Sequence, residues 1–463
     1  MSTRSTAFPD AGFTSSAPGT GEGSNMKWVV CGLLFAATTI NYMDRSVLSL
    51  IEPLLHNLGF MGWDPTLDTA HQVVFNNNYK HIVQCFQLAY GIGLLVSGRV
   101  IDRVGTKVGY ALAIGVWALS SMGHAIVFSV AGFCIARFML GLGESGNFPA
   151  AIKATTEWFP SKQRALATGI FNSGTNVSFF VAPALVAFVT TKFGWQAAFL
   201  TTGSLGLVWL GVWLLFPYNR LRGASTQTQA NLEADFASDK EHGGTIPLSV
   251  LLRRRGLYAF GIAKGLTDPI WWFYLFYLPK FLHETYNLDL EHSKWEIVTV
   301  YMVSSVGSIF GGALSGWLMS MGRSVNAGRK LAMLLCALLV IPIVLVPHLG
   351  SLFPTNAWPA TLVIALAAAA HQGWSANLFS TPTDMFPSTA VSSVVGIGGA
   401  VGSLGGVVFT GIVGSYFSLH PLLIFGLAAS AYVVSLAIFQ VFVPRLGASH
   451  PTHPPSNPGL KPA

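Results

Sequence analysis

Long apolar segments recur along almost the whole chain. A helix needs about 20 mainly apolar residues to cross the hydrocarbon core of a bilayer, and lipid offers the backbone no hydrogen-bond partners. Only 10% of the residues are charged, against about 25% in soluble proteins. The sequence therefore predicts an all-α membrane protein with twelve transmembrane helices. The predicted spans lie near residues 27–50, 80–101, 108–128, 130–152, 164–188, 195–216, 256–282, 297–320, 329–347, 358–380, 391–416 and 420–443.

A long polar interval divides these spans six and six. Residues 219–255 contain the string QTQANLEADFASDKEHGG followed by three arginines, which predicts a cytoplasmic linker between an N-terminal six-helix bundle at 27–218 and a C-terminal one at 256–443. Residues 1–26 are rich in Gly, Ser and Thr and have no apolar run, so we expect a disordered tail and no cleavable signal peptide. The Pro-rich end at 444–463 predicts a second disordered tail.

The basic residues predict how the chain is oriented. With the N-terminus inside, 19 of the 26 Lys and Arg residues fall on the cytoplasmic side and 4 on the opposite side. The other three, Arg45, Arg137 and Lys264, lie within spans. Cytoplasmic loops carry an excess of basic residues. We therefore expect a multi-pass protein of the inner membrane with both termini in the cytoplasm, and the basic excess in short loops is no sign of nucleic-acid binding.

The loop after the second predicted span carries a spaced motif, Gly98-x-x-x-Asp102-Arg103-x-Gly105-x-Lys107. Asp102 could pair with basic groups or with a helix N-terminus across the cytoplasmic face, because carboxylates are stabilised there. An ordinary basic loop is the alternative. The spacing resembles the loop signature of the major facilitator superfamily, whose fold is two six-helix bundles. The resemblance implies a conformational latch formed by Gly98, Asp102, Arg103 and Gly105.

Six charged residues lie inside predicted spans, where a charge costs about 2.5–3.5 kcal/mol even on the most lenient scale. They suggest a polar cavity through which a charged solute moves. By position they form three pairs, since two are adjacent, two are seven residues apart on one helix face, and two are four residues apart. The pairs are Asp44 with Arg45, Arg137 with Glu144, and Lys264 with Asp268.

Spans 1 and 4 carry the strings NYMDR and RFMLGLGESGNFPA, followed by EWFP and FNSGT. These strings resemble the anion:cation symporter family of the same superfamily. The resemblance implies that Asp44 and Glu144 carry coupling protons and that Arg45 and Arg137 engage the substrate anion or those carboxylates. Static structural ion pairs are the alternative for both pairs.

Spans 7 and 10 carry TDPIWWFYLFYLPKFL and HQGWSANLF, strings similar to those of bacterial hexuronate transporters. Aromatic faces can stack on a sugar ring, and amide and hydroxyl groups suit sugar hydroxyls. Lys264 either binds a carboxylate or neutralises Asp268, and His371 either joins a proton path or makes a bond between helices. The predicted substrate-binding residues are Tyr42, Arg45, Tyr90, Arg137, Asn172, Thr175, Lys264, Asp268, Trp271, Tyr274, His371, Gln372, Trp374, Ser375 and Asn377.

The resemblance implies a secondary transporter that imports a hexuronate, such as galacturonate or glucuronate, with protons by alternating access. Another organic anion, an aldonate, aldarate, phthalate or tartrate, is the alternative. The chain shows neither a phosphate-binding GxxxxGK[ST] motif nor a metal-ligand spacing, so we expect neither an enzyme nor a cofactor. The expected partners are the organic anion, protons and the lipid bilayer, without nucleic acid, and we expect a monomer.

Overall fold

The computed structural model describes residues 22–55, 69–221, 227–237, 245–288, 293–416 and 420–446. Within these ranges every regular element is helical. The N-terminal half contains α1 (Glu22–Leu55), α2 (Thr69–Val104), α3 (Thr106–Gly123), α4 (Val130–Glu144), α5 (Asn147–Trp158), α6 (Ser161–Phe193) and α7 (Trp195–Leu215). Three short helices follow: α8 (Tyr218–Leu221), α9 (Gln227–Asp235) and α10 (Leu248–Leu251). The C-terminal half contains α11 (Arg255–Tyr286), α12 (Lys294–Ser320), α13 (Val325–Val340), α14 (Val346–Leu352), α15 (Trp358–Met385), α16 (Val391–Tyr416) and α17 (Pro421–Phe442).

The predicted spans agree with these helices, with two interior breaks: span 4 is interrupted between α4 and α5, and span 9 is interrupted between α13 and α14, where Ile341–Leu345 form a 3₁₀ helix. Nine stretches of the described helices are long and apolar enough to cross a membrane. The remaining three predicted spans correspond to α4 together with α5, to α11, and to α15. Span 4 is interrupted at Ser145 and Gly146, and α11 and α15 carry the polar residues predicted to line a cavity. The two polar spans and the short, interrupted span 4 are therefore all among those to which sequence reasoning assigned function.

Most residues of the two predicted tails lie outside the described ranges. Residues 22–26, which were expected to be disordered, belong to α1. The predicted linker contains regular structure, since α8, α9 and α10 fall at least partly within 219–255. We call the end of the bundles that faces α8–α10 the linker end.

Two tight connections depend on glycine. Gly105 joins α2 to α3 at φ 84°, and Gly194 joins α6 to α7 at φ 81°. A residue with a Cβ is strained at positive φ, so glycine permits an abrupt reversal between adjacent spans.

A proline inside α15 is compensated locally. Pro382 has no N–H, so the carbonyl of Leu378 loses its usual helical donor. The hydroxyl of Thr381 donates to that carbonyl at 2.7 Å. The helix can therefore continue to Met385 and carry polar residues to the linker end.

The helices form two groups, α1–α7 and α11–α17, and α6 packs along α12 while α2 packs along α16. These contacts between the groups need small residues. A Cβ on Gly98 would overlap the carbonyl oxygen of Ser392, and a Cβ on Gly312 would overlap that of Ala165. Close approach through glycine is usual in membrane helices. The outer surface is apolar, as lipid requires, with Phe310 71% exposed.

Candidate functional site

A cavity lies between the two groups of helices. It includes about 710 Å³ of space not filled by protein atoms, counting the part open to solvent. Eleven of the predicted site residues line it: Tyr42, Arg45, Tyr90, Asn172, Thr175, Lys264, Asp268, Trp271, His371, Gln372 and Ser375. Residues from α1, α2, α6, α11 and α15 therefore converge on one space, as expected for a small-molecule site.

Arg45 provides the positive charge on the α1 side of the cavity. Its guanidinium carbon lies 4.6 Å from the ring centroids of both Tyr42 and Tyr90, and its Nε donates to Oε2 of Glu144 at 3.0 Å. The side chain of Arg45 is 24% exposed, whereas Glu144 is fully buried. Aromatic faces and a carboxylate together hold the guanidinium at the cavity wall.

The pairs expected on α1 and α4 are not the pairs that form. Glu144 binds Arg45 rather than Arg137, and Asp44 accepts a hydrogen bond from Ser121 at 2.6 Å instead of pairing with Arg45. Nη1 of Arg137 reaches the backbone oxygen of Arg45 at 3.5 Å. Sequence spacing could not foresee this, because the partners depend on the rotation of α1 against α3 and α4.

Several polar atoms in this group lack a hydrogen-bond partner within the described part of the chain. They are Oδ2 of Asp44, Oε1 of Glu144, and Nε and Nη2 of Arg137. Buried polar groups normally have partners. The group therefore keeps acceptor and donor capacity for a proton or for another arrangement of the arginines.

On the opposite wall, Lys264 and Asp268 form the pair that their spacing predicts. Nζ of Lys264 lies 2.6 Å from Oδ2 of Asp268 and 3.8 Å from the ring centroid of Phe379. A Cβ on Gly402 would overlap the Asp268 carboxylate, so the glycine in α16 makes room for it. Lys264 thus neutralises Asp268 at the edge of the cavity, and both side chains still line it.

An aromatic and amide wall lies next to this pair. Trp271 stacks on His371 with centroids 5.3 Å apart and planes 9° apart. Nδ1 of His371 lies 2.6 Å from the hydroxyl of Tyr432. Asn172 donates to Oε1 of Gln372 at 2.6 Å, which links α6 to α15 across the two groups of helices. The wall therefore offers a flat surface and hydrogen-bonding groups to a ring with hydroxyls.

Four predicted substrate-binding residues do not line the cavity. Arg137 is buried behind Arg45, and Tyr274 faces a small apolar recess with Tyr277 and Phe281. The other two bond to the helices: Trp374 donates to Thr267 at 3.2 Å, and Asn377 donates to the carbonyl oxygens of Gly311 and Gly373. Periodicity alone did not separate the face of α15 toward the cavity from the faces that pack.

Sequence reasoning missed seven lining residues. Phe148 and Phe379 stack at 5.1 Å between α5 and α15, and Trp272 belongs to the aromatic run already noted. The full set is Leu94, Phe148, Trp272, Phe379, Val395, Gly399 and Ser403. Most are apolar, so only packing between helices reveals them.

Within the described residues no group of His, Cys, Asp or Glu is arranged to hold a metal ion.

The family model of the Major Facilitator Superfamily matches residues 34–410. This chain belongs to the Major Facilitator Superfamily. It is a multi-pass membrane transporter and not an enzyme, and the expected fold of twelve spans is confirmed.

Curated relatives support the resemblance drawn from the sequence. The hexuronate transporter of Escherichia coli (strain K12) is 27% identical over 401 residues, covering 84% of this chain and 87% of the relative. The galacturonate transporter of Dickeya chrysanthemi is 30% identical over 323 residues, covering 68% and 89%. The probable galactarate/D-glucarate transporter GudP of Bacillus subtilis (strain 168) is 26% identical over 425 residues, covering 87% and 88%.

Solved structures share the fold at low sequence identity. The proton:xylose symporter XylE matches with a TM-score of 0.74 at 14% identity, over 91% of this chain and 97% of that one. The human organic anion transporter MFSD10 matches with a TM-score of 0.66 at 14% identity, over 89% and 99%. At this identity the likeness establishes the fold alone.

At the linker end of this major facilitator, Asp102 bridges the two groups of helices. Its carboxylate accepts hydrogen bonds from Nζ of Lys153 at 2.9 Å and from the backbone N–H groups of Ser392 and Ser393 at 3.3 and 2.7 Å. The two serines begin α16, where N–H groups lack helical partners. Asp102 therefore occupies a helix N-terminus, as the motif suggested, whereas Arg103 is exposed.

A second buried network at the same end was not anticipated. Asp384 lies 3.6 Å from Nη1 of Arg164 and 3.0 Å from Nε of Arg329. Arg164 also donates to the carbonyl of Thr383 at 2.8 Å, and Arg329 to that of Ser161 at 2.7 Å. Sequence reasoning counted both arginines only as cytoplasmic loop charges. Their burial follows from the closure of the two groups of helices, which no local pattern reveals.

The linker also contacts this closed end. Gln229 in α9 donates to the carbonyl of Thr383 at 2.8 Å and accepts from the N–H of Ser388 at 2.9 Å. Arg99 of α2 donates to the carbonyl of Ile246. The linker therefore touches both groups of helices.

Proposed function

We propose that this transporter imports a hexuronate together with protons by alternating access. The observation that carries the proposal is a single cavity with Arg45 on one wall and a neutralised Lys264–Asp268 pair beside Trp271 on the other. A uronic sugar has one carboxylate for the arginine, and hydroxyls and a ring face for the opposite wall. The names of the E. coli and Dickeya chrysanthemi relatives support the same class.

The charges around the cavity favour one carboxylate over two. Among the described lining residues, Arg45 and Lys264 are cationic and Asp268 is anionic. The remaining single positive charge matches a monocarboxylate once Glu144 is neutral. The second carboxylate of an aldarate would find no unpaired cation among these residues, because Lys264 is already paired with Asp268. Galactarate/glucarate transporters are nevertheless among the relatives, so an aldarate is the alternative to test.

Competition for Arg45 supports proton coupling. Glu144 binds Nε of Arg45 from the buried side, while the same guanidinium faces the cavity. A proton on Glu144 would weaken that ion pair and leave Arg45 to the substrate carboxylate. Loss of the proton would restore the pair and displace the anion. Asp44, next to Arg45 and bonded to Ser121, is the second proposed proton carrier.

Glu144→Gln tests the coupling. Proteoliposomes containing the full chain are given labelled galacturonate or glucuronate, with the outside either acidic or at the internal pH. The normal protein should accumulate substrate only under the acidic gradient. Glu144→Gln should exchange substrate across the membrane without accumulating it. Normal pH-driven accumulation by this variant would refute the assignment, and Glu284→Gln, at the exposed end of α11, serves as the matched control.

A competition panel tests the substrate. Galacturonate, glucuronate, galactonate and galactarate compete for a labelled hexuronate at two pH values. A hexuronate should compete at least tenfold better than galactarate, because the second carboxylate of galactarate loses water without gaining an unpaired cation, and tenfold corresponds to about 1.4 kcal/mol. If galactarate competes better than the hexuronates, the substrate is an aldarate and the hexuronate proposal is wrong.

We also propose how the protein is oriented in its membrane and how its two halves move. We place the linker end and both termini in the cytoplasm of a cell whose inner membrane holds the transporter, because the basic residues concentrate on that side. The groups 27–218 and 256–443 then rock about the cavity as two units in a monomer. Asp102 latches the state in which the linker end is closed.

A further inference from the structure

We propose that Tyr432, which does not line the cavity, holds His371 in the tautomer that carries its proton on Nε2. His371 thereby presents an N–H donor to an oxygen of the sugar, either a hydroxyl or the ring oxygen. Tyr432 is a positioning residue, since it acts through the imidazole. The nature of the ligand rests on the proposed hexuronate function, whereas the tautomer does not.

The imidazole is held on two sides. Trp271 stacks on one face with planes 9° apart, and the hydroxyl of Tyr432 lies 2.6 Å from Nδ1. Tyr432 is fully buried and also packs edge-on against Trp374 at 5.5 Å. Because Nδ1 is turned toward buried Tyr432 and His371 lines the cavity, Nε2 is the nitrogen left for a ligand.

The hydroxyl proton of Tyr432 decides the direction of the bond. Nδ1 of His371 is its one hydrogen-bond partner among the described residues. If Nδ1 carried the proton, the Tyr432 O–H would have no acceptor in a fully buried site, and an unmet buried donor costs about 1–3 kcal/mol. If Tyr432 donates to Nδ1, its hydroxyl proton has an acceptor. The neutral imidazole then has its own proton on Nε2.

A doubly protonated ring is the other arrangement to consider. It would place a second cation near Lys264, whose carboxylate partner Asp268 is already engaged at 2.6 Å. Tyr432 would again lose its acceptor. The neutral Nε2–H form therefore agrees with the charges and with the hydrogen bonds of this wall.

Two other donors near this wall already have acceptors. The amide of Asn172 donates to Oε1 of Gln372, and the indole N–H of Trp374 donates to the hydroxyl of Thr267. A sugar hydroxyl or ring oxygen that accepts from Nε2 would be fixed in position over Trp271. This contact would discriminate between sugars that differ in the placement of one oxygen.

Nitrogen NMR of the full chain in nanodiscs, with ¹⁵N-labelled histidine, tests the tautomer directly, and His371→Gln assigns the signal. The expected spectrum shows a protonated Nε2 and an unprotonated Nδ1 at neutral pH, and a mixture of tautomers in Tyr432→Phe. A proton on Nδ1 in the normal protein, or an unchanged signal in Tyr432→Phe, would overturn the proposal whether or not a hexuronate binds.

Binding measurements test the consequence. Tyr432→Phe should weaken hexuronate binding about three- to tenfold, the usual loss for one neutral hydrogen bond. His371→Gln, whose amide nitrogen can reach the Nε2 position, should bind within about threefold of normal, and His371→Asn should lose at least tenfold. Tyr432→Phe should have no further effect in the His371→Gln background, whereas a merely structural role would persist there.

Tyr274→Phe is the matched control, because the Tyr274 hydroxyl is buried without a hydrogen-bond partner among the described residues. It should leave affinity unchanged. Equal losses in Tyr274→Phe and Tyr432→Phe would contradict the role of Tyr432. If the normal protein binds no sugar acid at either pH, the proposed hexuronate function fails, and the nitrogen spectrum alone decides the tautomer.

Discussion

Replacing Asp102 by asparagine tests whether one carboxylate holds the linker end closed. The substitution keeps the size of the side chain but removes its charge and one of its two acceptor oxygens. Asp102 accepts three hydrogen bonds, one from Lys153 and two from the first turn of α16. All three involve a charged group. Hydrogen bonds to charged groups contribute about 1.5–3 kcal/mol and neutral ones about 0.5–1.5 kcal/mol.

Each of the three bonds should therefore lose about 1 kcal/mol, and the closed state about 3 kcal/mol in total. This corresponds to a shift of roughly a hundredfold toward the state with the linker end open. Hydrogen–deuterium exchange of the full chain measures it. The N–H groups of Ser392 and Ser393 are informative because the first turn of a helix has no internal acceptors for them.

The protection of this turn should fall roughly a hundredfold in Asp102→Asn, while the far end of α2 serves as an internal reference. Arg103→Ala is the control, since Arg103 lies in the same loop and is exposed. A change of less than about threefold in Asp102→Asn, or an equal change in Arg103→Ala, would refute the latch.

Two further changes probe other contacts. Lys264→Gln leaves the Asp268 carboxylate unpaired at the cavity and should weaken hexuronate binding at least tenfold, because two like charges about 4 Å apart repel by about 1–4 kcal/mol. Adding Asp268→Asn should restore part of the affinity in a direct binding assay, and no recovery would contradict the pairing argument. Gly312→Ala places a methyl group against the carbonyl of Ala165 and should lower stability by about 1–3 kcal/mol. Thermal unfolding measures that loss, and Gly426→Ala, whose Cβ would meet no atom within 4 Å, should not change it.

The sequence predicted the features that depend on neighbours along one helix. Span positions follow from hydropathy over about 20 residues, and the Lys264–Asp268 pair follows from a four-residue spacing. The contact of Asp102 with a helix N-terminus was foreseen as one of two possibilities for its motif.

Features that depend on how helices turn against one another could not be predicted. Glu144 binds Arg45 across 99 positions of sequence, and no periodicity on α1 or α4 specifies that partner. Arg164 and Arg329 look like ordinary loop cations until α6, α13 and α15 meet around Asp384. For the same reason the sequence placed Trp374 and Asn377 at the cavity, although both side chains bond to neighbouring helices.

The carbonyl of Thr383 accepts hydrogen bonds from Arg164 of α6 and from Gln229 of the linker. One oxygen atom is thus shared between an arginine that bridges the two groups of helices and the segment that joins the two halves. If the halves separate here, Arg164 must leave this oxygen, whereas Gln229 can stay with the C-terminal half through Thr383 and Ser388. Because Arg99 of α2 donates to the carbonyl of Ile246 in the linker, the joining segment is bonded to both halves, and its bonds contribute to the free-energy difference between the closed and open states. Cutting the chain within it, or lengthening it, would alter the rate of exchange between states as well as the connection between the halves.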